Sequence, residues 1–390
     1  MTPGAELAAP RRVAIVHDWL TGMRGGEKVL DAICELFPSA TLHTLLRVPG
    51  AVAPSIEARD IRTSPVQFLP RVATAYRNYL PLFPAAVEMM DLDHYDLVIS
   101  SSHCAVKSVI RAGHATHVCY CHSPMRYAWD QFPAYFGPDE VGPVKSRLLQ
   151  PVMAALARWD RSTAGRVDQF VANSRYVAGR IRRYYNRGSS VVYPPVDTGF
   201  YRPAAGPRVS DPSFLVVSAL VPYKRIDIAI EACRLAGARL KVVGRGPEEA
   251  RLRQLAGPGV EFLGWRTDEE IRDLYRETAA LLLPGIEDFG MVPVEAQACG
   301  APVVARRGGG ACETVVDSVT GVLVDAESGG RSDRREMAPA AFADGLDRVR
   351  TMERDADAIR ANAERFSRER FMTDFHAAVS DALSHRVTPS

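Results

Sequence analysis

Two glutamates, Glu287 and Glu295, stand eight residues apart in the segment GIEDFGMVPVEAQACGAPVVA, residues 285–305. A short apolar run before this segment predicts a strand, and residues 294–299 have the composition of a helix. Glu287 is therefore expected on the connecting loop and Glu295 inside the helix. Two carboxylates at such a turn can bind the hydroxyl groups of a ligand.

The start of the same helix is a predicted binding site for an anionic group. Backbone N–H groups in a first helical turn have no partner within the helix, and they bind phosphate without a metal. Pro293 suits this turn, because an early helical position needs no N–H. We therefore predict that the N–H groups of Gly290, Met291 and Val292 hold a diphosphate.

Lys224 and Arg225 follow another strand-like run, residues 214–218. In open parallel sheets, ligands bind at the carboxyl ends of the strands, which is where these two cations are expected. They would neutralise the charge of a diphosphate. The alternative is a solvated pair of charges that precedes a helix.

A glycine pair, Gly25 and Gly26, follows the first predicted strand in the sequence TGMRGGEK. Without a Cβ atom, these residues allow the backbone to approach a phosphate or an acceptor closely, although an ordinary turn uses glycine for the same reason. Neighbouring Asp18 is expected to contact an acceptor hydroxyl or to cap a helix.

The elements that must position these residues form two alternating β/α halves, so the fold class is α/β. The boundary is expected in residues 194–213, which are dense in proline, glycine and serine. The predicted domains are residues 1–204 and 205–366, and a helix in residues 367–390 is expected to pack back on the first. Strands are predicted at residues 13–16, 96–100, 117–120, 214–218, 240–243, 260–263, 279–283 and 302–305.

Composition indicates an enzyme-sized soluble protein. The 390 residues carry a formal net charge of +2, which does not by itself indicate a nucleic-acid partner. No apolar run is long enough to span a membrane, and Met1–Pro10 lacks the pattern of a signal peptide. The seven scattered cysteines are typical of buried thiols in a reducing compartment, so a cytoplasmic location is expected.

The motifs together resemble a known family, the retaining glycosyltransferases of family 4. The resemblance covers nearly the whole chain and is strongest at the pair Glu287 and Glu295. It implies the GT-B fold, in which two Rossmann-like domains with parallel sheets face each other across a cleft. The combination of motifs is most similar to that of mannosyltransferases that build O-antigen and exopolysaccharide. Supporting motifs are VHDWLTGMRGGEK, YCHSPMRYAWD, SALVPYKRIDIAIEA, VVGRGPE and GGGACETV.

The resemblance also implies roles for individual residues. Glu295 would bind the donor's ribose hydroxyls, and Glu287 the hydroxyls of the sugar. His122 would lie beside the transferred sugar, where it donates to a hydroxyl or stabilises developing charge; a histidine satisfied by backbone groups is the alternative. Members of the family often carry arginine at the position of Ala219, so charge stabilisation falls to Lys224 here.

The base and the metal requirement follow less directly. Asp268 corresponds to a loop that contacts the nucleobase, where its carboxylate can accept from guanine, but Thr267 and Glu270 also match a capping box. Helix N–H groups and Lys224 would replace a metal, so no cofactor is expected. The pair Asp91 and Asp93 is interpreted as a solvated turn.

The implied function is transfer of a hexosyl group with retention, from a nucleotide sugar, GDP-mannose, to a lipid-linked or polysaccharide acceptor. Residues 71–90 mix arginines with aromatic residues, which is typical either of a peripheral contact with an anionic membrane at the inner face of the cell membrane or of a core-facing helix. Alternative functions are a nucleotide-sugar epimerase of the same fold and a non-catalytic nucleotide-sugar-binding protein. A nicotinamide dehydrogenase is disfavoured, because its glycine fingerprint does not follow a predicted strand.

Overall fold

The computed structural model describes residues 12–204, 212–326 and 337–387. Internal contacts divide the chain into unit 1, Met1–Pro195 with Glu369–Ser390, and unit 2, Val196–Arg368. Each unit contains one parallel β-sheet, which confirms the α/β class. The predicted boundary at residues 204 and 205 adjoins residues 205–211, which lie outside the described residues, and it stays a prediction.

Unit 1 contains a seven-stranded parallel sheet in the order β3-β2-β1-β4-β5-β6-β7. The central strands are buried along almost their whole length and therefore read as continuous apolar runs, which made them predictable. The sequence analysis missed β2, β3, β6 and β7, which are short and lack such runs. The strands are β1 (Val13–His17), β2 (Thr41–Thr44), β3 (Ile61–Thr63), β4 (Leu97–Ser102), β5 (Thr116–Cys121), β6 (Gln169–Ala172) and β7 (Ser190–Val191).

Helices cover this sheet, and apolar side chains of the strands are buried in two main clusters. The helix Arg175–Tyr185 begins where the hydroxyl of Ser174 accepts from the N–H of Val177 at 3.0 Å. The helices are α1 (Gly25–Leu36), α2 (Pro54–Glu57), α3 (Val72–Ala75), α4 (Phe83–Glu88), α5 (Arg126–Trp129), α6 (Phe132–Phe136), α7 (Pro138–Val141), α8 (Pro143–Ser162) and α9 (Arg175–Tyr185), with 3-10 turns at Pro65–Phe68, Tyr76–Leu82, Val106–Ser108 and Thr163–Arg166.

Unit 2 contains a six-stranded parallel sheet in the order β10-β9-β8-β11-β12-β13. The chain runs outward from β8 and then returns to β11 beside it, so the topological switch point lies between these two strands. The strands are β8 (Phe214–Val217), β9 (Leu240–Val243), β10 (Val260–Gly264), β11 (Leu281–Leu283), β12 (Val303–Arg306) and β13 (Gly321–Val324). The helices are α10 (Ile226–Leu235), α11 (Glu249–Leu255), α12 (Asp268–Glu277), α13 (Met291–Ala298), α14 (Ala311–Thr314), α15 (Pro339–Thr351) and α16 (Ala356–Glu364), with a 3-10 turn at Pro222–Lys224.

The last helix, α17 (Arg368–Val387), belongs to unit 1 from Glu369 onward. Its Phe371 and Phe375 stack with ring centroids 5.5 Å apart, and each makes a T-shaped contact with the Tyr120 ring on β5 at a centroid distance of 5.7 Å. These rings are buried in the same apolar cluster as β1 and β4. Burial of aromatic area therefore attaches this helix to the sheet of unit 1.

Candidate functional site

The structure brings Lys224 and Glu287 together at the switch point of unit 2. Lys224 ends the turn that follows β8, and Glu287 lies on the loop that follows β11. The Lys224 ammonium donates directly to Glu287 Oε1, and the two side chains are 17% and 14% exposed. A partly buried cation and a carboxylate thus meet at the edge of the sheet where ligands bind in this class of fold.

Glycines hold the loop of Glu287 in place through backbone contacts. A Cβ atom on Gly285 would lie 2.7 Å from the Tyr223 carbonyl oxygen, and one on Gly309 would lie 2.2 Å from the Glu287 carbonyl oxygen. The N–H of Gly310 donates to the same Glu287 oxygen at 2.9 Å. The loop is therefore fixed between two neighbours that approach it too closely for any residue larger than glycine.

Helix α13 begins beside this loop, with Gly290 as the residue before it. Gly290 has φ of 86°, a conformation that favours glycine, and in the described structure no side chain caps the helix. Met291 and Val292 occupy the first two helical positions, three residues earlier than the apolar pattern predicted. Their N–H groups have no acceptor inside the helix, so they suit an anionic ligand.

Glu295 lies one turn further along α13 and is only 6% exposed. Its Oε2 accepts from the hydroxyl of Tyr275 at 3.1 Å. Burial, followed by the charge of Glu295, raises the pKa of Tyr275 well above its usual value, so the tyrosine is a neutral donor. Tyr275 was not among the predicted site residues, although an aromatic residue within the polar sequence DEEIRDLYRE is a signal of a core-facing position.

Two further predicted residues have local partners in the structure. Arg225 has φ of 52° and precedes α10, where its guanidinium contacts the Asp227 carboxylate at 3.2 Å. Asp268 is the exposed first residue of α12. Thr267 and Glu270 form the capping box that was the alternative interpretation. The N–H of Glu270 donates to the Thr267 hydroxyl at 3.3 Å, and the N–H of Thr267 donates to the Glu270 carboxylate at 2.8 Å. Guanine recognition by Asp268 stays a prediction.

In unit 1, His122 directly follows β5 and is half-buried. Its N–H donates to the Ser102 carbonyl at 2.8 Å, and its carbonyl accepts from Asn173 at 3.0 Å. Its ring Nε2 contacts the hydroxyl of Ser101 at 2.9 Å. Burial, with the nearby His103, His17 and Arg126, lowers the pKa of His122 well below its ordinary value, so the ring is neutral near pH 7.

The predicted glycine pair begins α1, and Gly26 lies beside His122. A Cβ atom on Gly26 would lie 4.0 Å from Nε2 of His122 and 3.7 Å from Cε1 of His17, which is ordinary contact. Gly25 is the first residue of the helix. The structure thus places the glycine turn and the candidate histidine at the same edge of the unit 1 sheet.

Asp18 is fully buried and holds a turn of the backbone. Its Oδ2 accepts from the N–H groups of His103 and Cys104 at 2.7 and 2.9 Å, and its Oδ1 from those of Ala105 and Val106 at 2.7 and 3.1 Å. These four bonds fix the segment after β4. The carboxylate therefore binds the backbone that leads into the 3-10 turn Val106–Ser108 and is not the N-cap residue of a helix, while contact with an acceptor stays a prediction.

Arg180, which was not predicted from the sequence, contacts both ends of the segment that follows His122. Arg180 on α9 is 7% exposed and donates to the Ser123 hydroxyl at 2.9 Å and to the Asp130 carboxylate at 2.8 Å. Trp129 in the same segment donates to Asp160 at 2.7 Å. These contacts join residues 30 or more positions apart, so no local pattern could reveal them.

The residue types that could bind a metal ion do not form a metal site in the part of the chain that the structure describes. Among the described residues, no group of three or more His, Cys, Asp or Glu side chains is arranged to hold a metal ion. Cys119 and Cys121 lie in an apolar cluster with Phe170, and burial raises the pKa of Cys121 well above its usual value. The carboxylate of Asp91 accepts from the N–H of Asp93 at 3.3 Å, as in a turn.

Two Rossmann-like units, the second with a cation and two carboxylates at its switch point, define a glycosyltransferase of the GT-B type. The model of Glycosyltransferase Family 4 matches residues 23–200, and that of Glycosyl transferases group 1 matches residues 197–366. The chain belongs to glycosyltransferase family 4. In the described part of the chain, no helix is both long and apolar enough to cross a bilayer.

Several curated proteins are similar in sequence to this chain. A D-inositol 3-phosphate glycosyltransferase of Salinispora arenicola is 31% identical over 377 residues, 81% of each chain. One of the same name from Segniliparus rotundus is 35% identical over 232 residues, 52% of this chain and 49% of the relative. A GDP-mannose-dependent alpha-(1-6)-phosphatidylinositol monomannoside mannosyltransferase of Mycobacterium tuberculosis is 32% identical over 184 residues, 40% and 48%. The chain spans about half the length of most of these relatives.

Solved structures share the fold. Anabaena HepE in complex with UDP and glucose superposes with a TM-score of 0.66 at 19% identity, and the match covers 95% of this chain and 100% of that one. This likeness supports the GT-B architecture of the two units.

Proposed function

We propose that the chain is a retaining hexosyltransferase that moves a mannosyl group from GDP-mannose to a lipid-linked or polysaccharide acceptor in cell-surface glycan biosynthesis. The observation that carries this proposal is the ion pair of Lys224 and Glu287 beside the start of α13. A cation, exposed N–H groups and a carboxylate at one switch point suit a diphosphate that is joined to a sugar.

The donor occupies this site by replacing part of the ion pair. The N–H groups of Met291 and Val292 and the ammonium of Lys224 bind the diphosphate, which releases the carboxylate of Glu287 toward the sugar hydroxyls. Glu295, which the hydrogen bond from Tyr275 orients, binds the ribose hydroxyls. Charge compensation by the protein makes metal unnecessary in this scheme.

The reaction that we propose retains the configuration at the anomeric carbon. The bond from C1 to the diphosphate oxygen breaks, and the bond from C1 to the acceptor oxygen forms on the same face. The departing diphosphate oxygen takes the acceptor's proton, and Lys224 stabilises the charge that develops on it. The protein contributes position and electrostatics, with His122 of unit 1 binding a hydroxyl of the sugar.

Guanine as the base rests on two observations. Asp268 is an exposed carboxylate at the start of α12, and Trp265, 65% exposed, presents a ring face three residues earlier. A carboxylate accepts from the adjacent N–H donors of guanine, and an aromatic face stacks on a base. The name of the Mycobacterium tuberculosis relative also includes GDP-mannose as its donor.

A donor and acceptor panel with mass-spectrometric product detection tests the proposal. GDP-mannose with a polyprenyl-linked saccharide should give a glycosylated product, and activity should persist in EDTA. The acceptor D-inositol 3-phosphate, UDP-glucose as donor, and donor without acceptor are the discriminating arms. Transfer from UDP-glucose alone would overturn the choice of GDP-mannose, while an epimer formed without acceptor would indicate an epimerase. Loss in EDTA that manganese restores would overturn metal independence.

Paired variants test the site itself. Glu287→Gln with Glu295→Gln should lower turnover and donor affinity together, because both carboxylates lose their charge. The matched control is Glu231→Gln with Glu249→Gln, two helix-surface glutamates that pair with arginines on their own helices. Unchanged turnover and affinity in the first pair would refute the proposed site.

Contact with an anionic membrane is part of the proposal, at the inner face of the cell membrane. The buried rings of Tyr76 and Phe83 belong to the core, which matches the core-facing alternative for those residues. Phe68 and Met89 are nevertheless 85% and 68% exposed, and Leu82 is 48% exposed. Phe68→Ser with Leu82→Ser should reduce flotation with vesicles that contain anionic lipid. The control is Leu235→Ser on unit 2, 53% exposed. Equal flotation of the two proteins would exclude this surface.

A further inference from the structure

A chain of buried polar side chains leads to His122 from the start of α1. The hydroxyl of Ser101 lies 2.9 Å from Nε2 of His122 and 3.1 Å from Nδ1 of His17. On the other side of the His17 ring, Nε2 lies 3.8 Å from Oε1 of Glu27. Ser101, His17 and Glu27 are 0%, 0% and 3% exposed, so water does not compete for these contacts.

A single hydroxyl between two imidazole nitrogens couples their protonation. The Ser101 hydroxyl has one hydrogen, and within the described residues the two ring nitrogens are its hydrogen-bond partners, so it donates to one of them and accepts from the other. If it donates to Nδ1 of His17, then Nε2 of His122 must carry a proton. If it donates to Nε2 of His122 instead, Nδ1 of His17 must carry one.

Glu27 distinguishes these two arrangements. Its other oxygen accepts from the N–H of Arg24 at 3.1 Å, which fixes the carboxylate at the start of α1. At 3.8 Å the contact with His17 is longer than a hydrogen bond, but it is close enough for the negative charge of the carboxylate to act on the ring nitrogen that faces it. Burial would raise the pKa of Glu27, yet contacts with His17 and His103 lower it, so the group is a carboxylate. A buried negative charge favours a proton on the nitrogen that faces it, Nε2 of His17.

We propose that Glu27 sets the tautomer of His122 through His17 and Ser101. The proton on Nε2 of His17 leaves Nδ1 as an acceptor, which takes the Ser101 hydrogen. Ser101 then accepts from Nε2–H of His122. His122 therefore presents the lone pair of Nδ1, and it accepts a hydrogen bond from a sugar hydroxyl. That last step rests on the proposed function, whereas the tautomer itself does not. Glu27, His17 and Ser101 are positioning residues.

His117 is an internal reference, because its contacts require the opposite tautomer. Nδ1 of His117 lies 3.1 Å from the carbonyl of Arg166, which can only accept, and its Nε2 lies 2.8 Å from the hydroxyl of Ser100. His117 therefore carries its proton on Nδ1. These two histidines, at opposite ends of β5, are thus expected to differ in tautomer.

Nitrogen spectra of protein labelled with ¹⁵N-histidine test the proposal at pH 8. Long-range proton–nitrogen correlations identify the protonated ring nitrogen, and His122→Gln and His117→Asn assign the two rings. The expected result is Nε2–H for His122 and Nδ1–H for His117. Nδ1–H for His122 in the wild-type protein would overturn the proposal, whether or not any variant folds.

Two variants then test the cause. Glu27→Gln and Ser101→Ala should shift His122 toward a mixture of tautomers while the His117 signals stay unchanged. In a transferase assay with GDP-mannose, each should lower kcat/KM about tenfold, the scale of one misplaced hydrogen bond. An unaltered His122 tautomer in both variants would refute the role of Glu27. Absence of transferase activity in the wild-type protein would instead count against the proposed function, since the spectra are read without substrate.

Discussion

The two units hold their candidate residues by different means. In unit 2, Lys224, Glu287 and the start of α13 lie on adjacent loops that glycines fix through backbone contacts. In unit 1, His122 and Asp18 are fixed by buried side-chain hydrogen bonds from distant parts of the sequence. Substitutions in the buried network of unit 1 should therefore affect folding and the orientation of side chains. Substitutions at the unit 2 site should instead affect ligand binding in an intact fold.

The largest expected effect on stability comes from breaking the buried ion pair of Lys107 and Asp160 in unit 1. Their side chains are 1% and 0% exposed and meet at 3.0 Å, and Asp160 also accepts from Tyr185 at 2.9 Å. Lys107→Met leaves the carboxylate buried without its cation. We expect a loss of about 3–5 kcal/mol in the free energy of unfolding, measured by urea denaturation.

The control for that loss is an exposed pair in the same unit. Arg370 contacts Asp374 at 2.8 Å on α17, and the two side chains are 67% and 37% exposed. Arg370→Met should change the free energy of unfolding by less than about 1 kcal/mol. Equal losses in the two variants would contradict the dependence of unit 1 on its buried network.

Lys224→Met should have the opposite profile in unit 2. Removal of the cation that balances the leaving diphosphate should lower kcat by about 10²–10³-fold. The urea midpoint should change little, because the loops are held by backbone contacts rather than by this pair. Arg234→Met, which removes a 62% exposed partner of Glu231 on α10, is the matched control and should leave kcat unaltered. A loss of stability as large as that of Lys107→Met would remove the distinction between the units.

The same contrast explains what could be predicted from the sequence. Glu287, Glu295 and Lys224 lie in local motifs, so hydrophobic pattern and turn residues placed each of them on the correct loop or helix, although α13 begins three residues earlier than its apolar pattern predicted. The partners of Asp18 lie more than 80 residues away, and a carboxylate that binds four backbone N–H groups has no local signature. Strands β2, β3, β6 and β7 were also missed, because these short strands lack a long apolar run, and β13 was missed although it is as long and as apolar as β8.

Acid should destabilise unit 1 through its histidines, since none of the nine histidines lies in residues 196–368. Burial, outweighing a hydrogen bond to Arg166, lowers the pKa of His117 from 6.5 to about 4. Between these values the unfolded chain binds a proton that the folded chain does not, so stability falls as pH decreases. From pH 7 to pH 5 this histidine should remove about 2 kcal/mol from the free energy of unfolding.

His117→Asn isolates that contribution, because asparagine keeps a donor for the Arg166 carbonyl and does not titrate. Urea unfolding followed by tryptophan fluorescence reports mainly on unit 1, which contains Trp19, Trp129 and Trp159. The variant should show a shallower dependence on pH than the wild-type protein, and Lys224→Met should show the same dependence as the wild type. A steeper slope in His117→Asn would mean that the sign of the linkage is wrong.

The smallest expected effect concerns a buried side-chain hydrogen bond at the unit 2 site. Tyr275→Phe removes the hydroxyl that donates to Glu295 at 3.1 Å and keeps the buried ring. Glu295 is then less well oriented toward ribose, so donor affinity should fall by about fivefold, equivalent to about 1 kcal/mol. Tyr79→Phe, which removes an exposed hydroxyl bond to the Pro70 carbonyl in unit 1, is the control for calorimetry. If Tyr275→Phe binds GDP as tightly as that control does, the site of unit 2 does not depend on this buried hydrogen bond, and the contrast between the units becomes sharper.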